Sequence, residues 1–276
     1  MAIATDELSP DKQISQHRLW LDILMEIGIL VLVYLVYCLS RGSLDEKATV
    51  AFQHARDLID LEKTLGIFVE LDIKSFFLET SFRIDVANYL YTLCYYPSLV
   101  LFGIWAYWRH REKYKFMRTV FIISAALAFV VFALYPCAPP RFFDGNHGVE
   151  NLGFVDTLFT YWDVDEGGIQ QFYNPYAAMP SLHQGWTLMI AIGIIWMTKS
   201  WFGRVLGALL PIAMFVGIIS TANHFILDAV GGAIVIGIAF GATILVSKYL
   251  RKIRPQGNQF TSPLHNPMTE APSTEE

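Results

Sequence analysis

Over 276 residues the chain is 54% hydrophobic and 14% aromatic but only 16% charged, too few charges to cover a water-soluble protein of this length. The composition points to a polytopic membrane protein, and nothing in it resembles a nucleic-acid-binding surface. The net charge of −5 is divided between two aqueous faces and identifies no partner.

A bilayer core about 30 Å thick requires roughly 20 apolar residues in a helix. Six runs of about that length occur, near residues 20–40, 85–108, 116–135, 181–199, 203–221 and 224–249. The predicted fold is therefore all-α, with six transmembrane helices in one membrane domain over 19–250. A cytoplasmic N-terminal tail covers 1–18, and a cytoplasmic tail over 251–276, rich in Pro, Ser, Thr and Asn, reads as disordered. The first run carries Asp22 and Glu26, is too long for a cleavable signal peptide and lacks a small-residue cleavage site. Those two acids read as structural.

Between the first two runs, Phe52, Ala55, Leu58, Leu61, Leu65 and Phe68 recur every three or four residues among charges. The pattern predicts an amphipathic helix, either lying on the membrane surface or packed over the bundle. Cys38, Cys94 and Cys137 are odd in number and widely spaced, which supports neither a disulfide framework nor a zinc pattern.

Orientation follows from Lys and Arg beside short loops. The loop from Arg109 to Arg118 carries five of them and the stretch from Lys248 to Arg254 four, so both should be cytoplasmic. The segment from Pro136 to Pro180 holds only Arg141 against Asp144, Glu150, Asp156, Asp163, Asp165 and Glu166, and should face outward. The mixed charges between Arg41 and Arg83 fit this scheme less well.

Ionisable groups in hydrocarbon are costly and usually face a site. Span four opens "AMPSLH", with Pro180, Ser181 and His183; span six opens "NHFILD", with His224 and Asp228 four residues apart on one expected helix face; span three ends "YPCAPPR", with Arg141 just beyond it. All converge on the outer surface. An Asp near a His can take its Nδ1 hydrogen and leave Nε2 as nucleophile or base. A second His can protonate a leaving oxygen, and an Arg offers a fork to phosphate oxygens. The start of span four, with Ser181 as a donor, is a ready anion site. The assembly suits attack on a phosphate ester. His183, His224 and Asp228 are also ordinary zinc ligands, a second chemistry that metal analysis separates from the first.

The three motifs resemble the signature regions of the type 2 phosphatidic acid phosphatase, or lipid phosphate phosphatase, superfamily, in the branch that includes inositol phosphorylceramide synthase. The resemblance covers roughly residues 45–245. It implies a six-helix core, a site on the extracytoplasmic face, and neither metal nor cofactor. Carried over by position, His224 is the nucleophile that becomes phosphohistidine and Asp228 its orienting partner. His183 is the acid to the leaving group, and Arg141 and Ser181 bind phosphate.

The chain departs from the commoner phosphatase pattern. Leu134 stands where that pattern has Lys, Phe142 where it has Pro, Leu182 where it has Gly, and Gly217 and Ile218 where it has Ser and Arg. With two cations gone, a singly charged phosphodiester fits better than a doubly charged monoester. The expected function is a plasma-membrane lipid phosphotransferase moving a phosphorylated head group to an alcohol or polyol acceptor. The alternative is a phosphatase of phosphatidate or an isoprenoid diphosphate, working by the same covalent route.

Overall fold

A computed structural model of the chain describes residues 20–29, 31–33, 35, 44–162 and 174–253. The N-terminal tail, Cys38, Asp163, Asp165, Glu166 and the tail beyond 253 lie outside them. Residues 251–253, read as the start of that tail, continue the last helix.

Among the described residues the architecture is helical, with only isolated β-bridges. Residues 20–29 lie in a helix. There follow α1 (Leu44–Leu65), α2 (Glu70–Leu78), α3 (Ser81–Leu93), α4 (Tyr96–Arg109) and α5 (Arg111–Leu134). A 3-10 turn at Pro140–Phe142 leads to α6 (Thr157–Tyr161), α7 (Leu182–Met197), α8 (Trp201–Ser220) and α9 (Ile226–Ile253). Among the described residues three stretches, not the six expected of the whole chain, are long and apolar enough to cross a membrane: Arg111–Leu134, Trp201–Ser220 and Ile226–Leu250. The 24 residues of α5 reach about 36 Å at 1.5 Å per residue. Leu182–Met197 is apolar but shorter. Exposed side chains such as Leu134, Trp201, Ile212 and Leu245 make a surface that lipid, rather than water, covers.

The run read as one span over 85–108 is two helices. The chain leaves the helical region at Tyr95 (φ −102°, ψ −82°), and Pro97 sits in the first turn of α4, where a missing N–H is tolerated.

The helix read near 50–68 is α1, and its apolar stripe is turned into the protein. Ala51, Phe52, Ala55, Leu58 and Ile59 are buried, whereas Leu61 and Leu65 are exposed. Phe52 meets Phe143 edge-on at 5.4 Å between ring centroids. Arg56 donates two hydrogen bonds to Glu150, at 2.8 and 2.7 Å, tying α1 to the segment after the 3-10 turn.

Two apolar clusters result. One joins α4, α5, α7, α8 and α9 through Phe102, Met117, Met189, Met214 and Ile236. The other joins α1 to Cys137, Phe142, Phe143, Ala178 and Phe225. At the opposite end of α5, Arg111 pairs with Asp22 at 2.9 Å, Tyr114 donates to Glu26 at 2.9 Å, and Arg118 pairs with Glu26. The two acids near the first run thus hold it to α5.

Candidate active site

The start of α7 crosses the start of α9 without intervening side chains. A Cβ on Gly185 would lie 3.1 Å from the Gly232 carbonyl oxygen, and one on Gly232 would overlap the Ser181 carbonyl oxygen. This close approach lets Ser181 N–H donate to the Asp228 carbonyl at 2.9 Å. It also brings His224 Nε2 to 3.4 Å from His183 Nδ1. Ser181 is the N-cap of α7, its Oγ accepting from Gln184 N–H.

His224 and Asp228 do not share a helix face as the i, i+4 spacing predicts. α9 begins at Ile226, so His224 lies in the turn ahead of it. Asp228 folds back to accept from Phe225 N–H at 2.9 Å. The Asp228 Oδ2 to His224 Nδ1 distance is 3.4 Å, while the Ala178 carbonyl oxygen lies 2.9 Å from that nitrogen. A carbonyl can only accept, so Nδ1 carries the hydrogen. In the neutral ring Nε2 then holds the lone pair, directed at His183. A backbone carbonyl fixes the tautomer, and the Asp228 carboxylate adds its field from slightly farther away.

Arg141 comes from the 3-10 turn. Its main-chain N–H donates to Ala222 O at 2.8 Å, its guanidinium donates to Asn223 Oδ1, and Nε lies 2.7 Å from Asp156 Oδ2. This last contact is an ion pair off the hydrogen-bond line, since Nε has no aligned acceptor. Ala222, with φ of +56°, is in the left-handed region that costs a residue with a Cβ. The Arg141 bond helps to hold that strained turn directly before His224. Asn223 Nδ2 in turn donates to Thr221 Oγ1 at 2.8 Å.

His183 is enclosed by aromatic rings. Tyr95 lies 4.1 Å away and Tyr91 stacks at 4.8 Å, centroid to centroid. Tyr95 occupies the break between α3 and α4, so the interruption in the predicted span turns a ring onto the histidine. Gly217 serves the same packing, because a Cβ there would come within 2.8 Å of Tyr91 N. The serine expected at that place in the commoner pattern has no room. Ile218, where that pattern has arginine, is fully buried, and its carbonyl accepts from Asn223 N–H and His224 N–H at 3.0 and 3.3 Å. Leu134, in the lysine position, is 78% exposed.

All five predicted residues, Arg141, Ser181, His183, His224 and Asp228, therefore meet in one region. Sequence reasoning missed Asn223 and Asp156, which grip Arg141. It also missed a buried set from α1 and α2. Glu62 Oε1 accepts from Leu227 N–H at 2.7 Å, Glu70 Oε1 accepts from Ile226 N–H at 3.0 Å, and Lys74 Nζ donates to Ser220 O at 3.0 Å. Burial and the neighbouring Glu70 push Glu62 up to about 9, and burial pushes Lys74 down to about 7. Burial also raises the Asp156 carboxyl against the pull of Arg141 and Lys74. Among the described residues no three His, Cys, Asp or Glu side chains are grouped to hold a metal ion.

A family model described as the PAP2 superfamily matches residues 56–242. A curated relative, the phosphoinositol dihydroceramide synthase of Bacteroides thetaiotaomicron, is 27% identical over 161 residues, which make up 54% of this chain and 52% of that protein. The chain thus spans about half the length of that relative. No solved structure matches significantly.

Proposed function

The chain belongs to the PAP2 superfamily, and we propose that it is an integral-membrane lipid phosphotransferase that moves a phosphorylated head group through a phosphohistidine at His224. The observation that carries this reading is the Nδ1 contact with Ala178 O at 2.9 Å, which leaves Nε2 as the lone-pair nitrogen of a buried ring. The relative's name joins phosphoinositol to dihydroceramide. By that likeness the donor is a phosphodiester lipid of the phosphoinositol kind, and the acceptor is a ceramide-class hydroxyl. The polyol then travels on phosphorus rather than receiving it.

In the first step Nε2 of His224 attacks phosphorus and the bond to the donor lipid oxygen breaks. His183, in its protonated form, gives that oxygen its proton. In the second step the acceptor hydroxyl loses its proton to His183 as its oxygen attacks phosphorus, and the P–N bond returns its electron pair to Nε2. At 3.4 Å the two rings touch, so a phosphoryl group reaches Nε2 only as His183 swings aside along Tyr91 and Tyr95. Arg141 and the hydroxyl hydrogen of Ser181 bind phosphate oxygens. Asp156 offsets part of the Arg141 charge, which favours one negative charge on the substrate over two.

On the reading with six spans and both termini in the cytoplasm, this chemistry faces the extracytoplasmic side, a reading that the basic loop from Arg109 to Arg118 supports. The test is incubation of the purified protein with labelled phosphatidylinositol and ceramide, with lipid phosphomonoesters in parallel. Transfer to ceramide is the expected result. Free phosphate as the dominant product, with monoesters turned over faster than diesters, would make the protein a lipid phosphate phosphatase instead.

A further inference from the structure

The first turn of α9 is capped in an unusual way. A helix start leaves its first N–H groups without partners, and one Ser, Asn or Asp at the N-cap usually serves. Here three carboxylates from three segments take three successive N–H groups: Asp228 takes Phe225, Glu70 takes Ile226 and Glu62 takes Leu227. Glu62 and Glu70 are both fully buried. Neither second oxygen has a hydrogen-bond partner, and burial with Glu70 alongside pushes the Glu62 carboxyl up to about 9. On the other side of the same turn, Lys74, 1% exposed, donates to Ser220 O.

Burying such groups is expensive, and an apolar replacement of a buried ionic set is often neutral or stabilising. Bulk stability alone therefore does not account for them. What they share is location: they grip both ends of the short stretch that presents Asn223 and His224. Misplacement of a reacting group by about 1 Å costs on the order of 100-fold in rate.

We propose that Glu62, Glu70 and Lys74 are positioning residues of the reaction, supplied by α1 and α2 from outside the three motifs, which clamp the stretch from Ser220 to Asp228 so that His224 Nε2 faces His183. The proposal rests on the assignment of His224 as nucleophile. The clamp takes the place of local capping: Lys74 fixes the last carbonyl of α8, and the acid pair fixes the first N–H groups of α9. Glu62 is faced by Glu70 from α2, Asp228 from α9 and Cys137 from the segment after α5, while the charge that Lys74 feels is that of Asp156.

The experiment compares full-length wild type, Glu62→Leu and Glu62→Gln in lipid nanodiscs. Turnover of labelled phosphatidylinositol with ceramide is measured alongside the rate at which diethyl pyrocarbonate modifies His224, mapped by mass spectrometry, which needs no substrate. Glu62→Leu should keep its melting midpoint, lose about 100-fold in kcat with little change in KM, and change the modification rate of His224 severalfold. Glu62→Gln keeps an oxygen to accept from Leu227 N–H, so it should stay within about threefold of wild type near neutral pH. It should also keep its activity, or its His224 modification rate, above about pH 9, where wild type changes as Glu62 loses its proton. A wild type without transferase activity but with the predicted modification changes would sink the functional reading and leave the clamp standing. Unchanged His224 reactivity and unchanged kcat in Glu62→Leu would overturn the clamp; if that variant does not fold, an alkaline profile of Glu62→Gln identical to wild type does so.

Discussion

Gly232 of α9 lies directly against the Ser181 carbonyl at the cap of α7, with no space for a Cβ between them. The obstacle is backbone, which cannot rotate away as a side chain can. Gly232→Ala should therefore push the two helices apart, destabilise the protein by about 1–3 kcal/mol and separate His183 from His224. Gly237, one and a half turns farther along α9, has nothing within 4 Å of such a Cβ. Gly237→Ala should leave the melting midpoint and activity of the purified protein near wild type. Equal losses in the two variants would mean that the crossing is not a close one.

The two histidines should separate kinetically. His224→Ala is expected to form no acid-labile phosphoenzyme with any substrate. His183→Ala should form it with a donor whose leaving group needs no proton, such as a nitrophenyl phosphodiester, yet lose at least about 100-fold with natural lipids. Trapping at full yield in His224→Ala would move the nucleophile elsewhere.

Charge selection centres on Asp156, 2.7 Å from Arg141 Nε. Asp156→Asn removes a negative charge beside the phosphate ligand. The ratio of kcat/KM for monoester over diester substrates should rise about tenfold or more. A ratio that stays constant would mean that Asp156 only holds the guanidinium in place.

Stability should depend on pH through the acid in α1 and the lysine in α2. Glu62 ionises near 4.5 in the unfolded chain but only at about 9 when folded. Its stabilising contribution is complete below 4.5 and declines as the pH rises to about 9. Lys74 runs the other way: lowered from 10.5 to about 7, its contribution is complete above 10.5 and is lost as the pH falls to about 7. In Glu62→Gln only the lysine slope remains, so its melting midpoint should gain on wild type between about pH 5 and pH 9 and then stop gaining. A pH-independent difference would argue against a protonated buried acid.

Membrane orientation can be read directly. Cysteines at Asn146 and Gln256, in a background without native cysteines, should react with an impermeant reagent from opposite faces. Labelling of both from outside would overturn the scheme.

What the sequence revealed was local. Arg141, His183 and His224 each stand at the end of an apolar run, and run ends on the same side must come together, so their meeting could be foreseen. The partners that orient them could not. Glu70 and Glu62 lie 156 and 165 residues from the N–H groups they cap, in a segment whose mixed charges pointed to no partner. Asp228 looked like the partner of Nδ1, yet the Ala178 carbonyl is nearer, and a backbone acceptor leaves no trace in residue identity. The break at Tyr95 was hidden because tyrosine and proline sit comfortably in an apolar run.

Leu134 ends α5 with its side chain 78% exposed, at the place where the commoner relatives carry a lysine. A lysine put back there would run along the outside of the bundle toward the nearest water, while Arg141 sits 7% exposed among buried neighbours. Leu134→Lys would supply the letter of the motif without bringing its cation to the site.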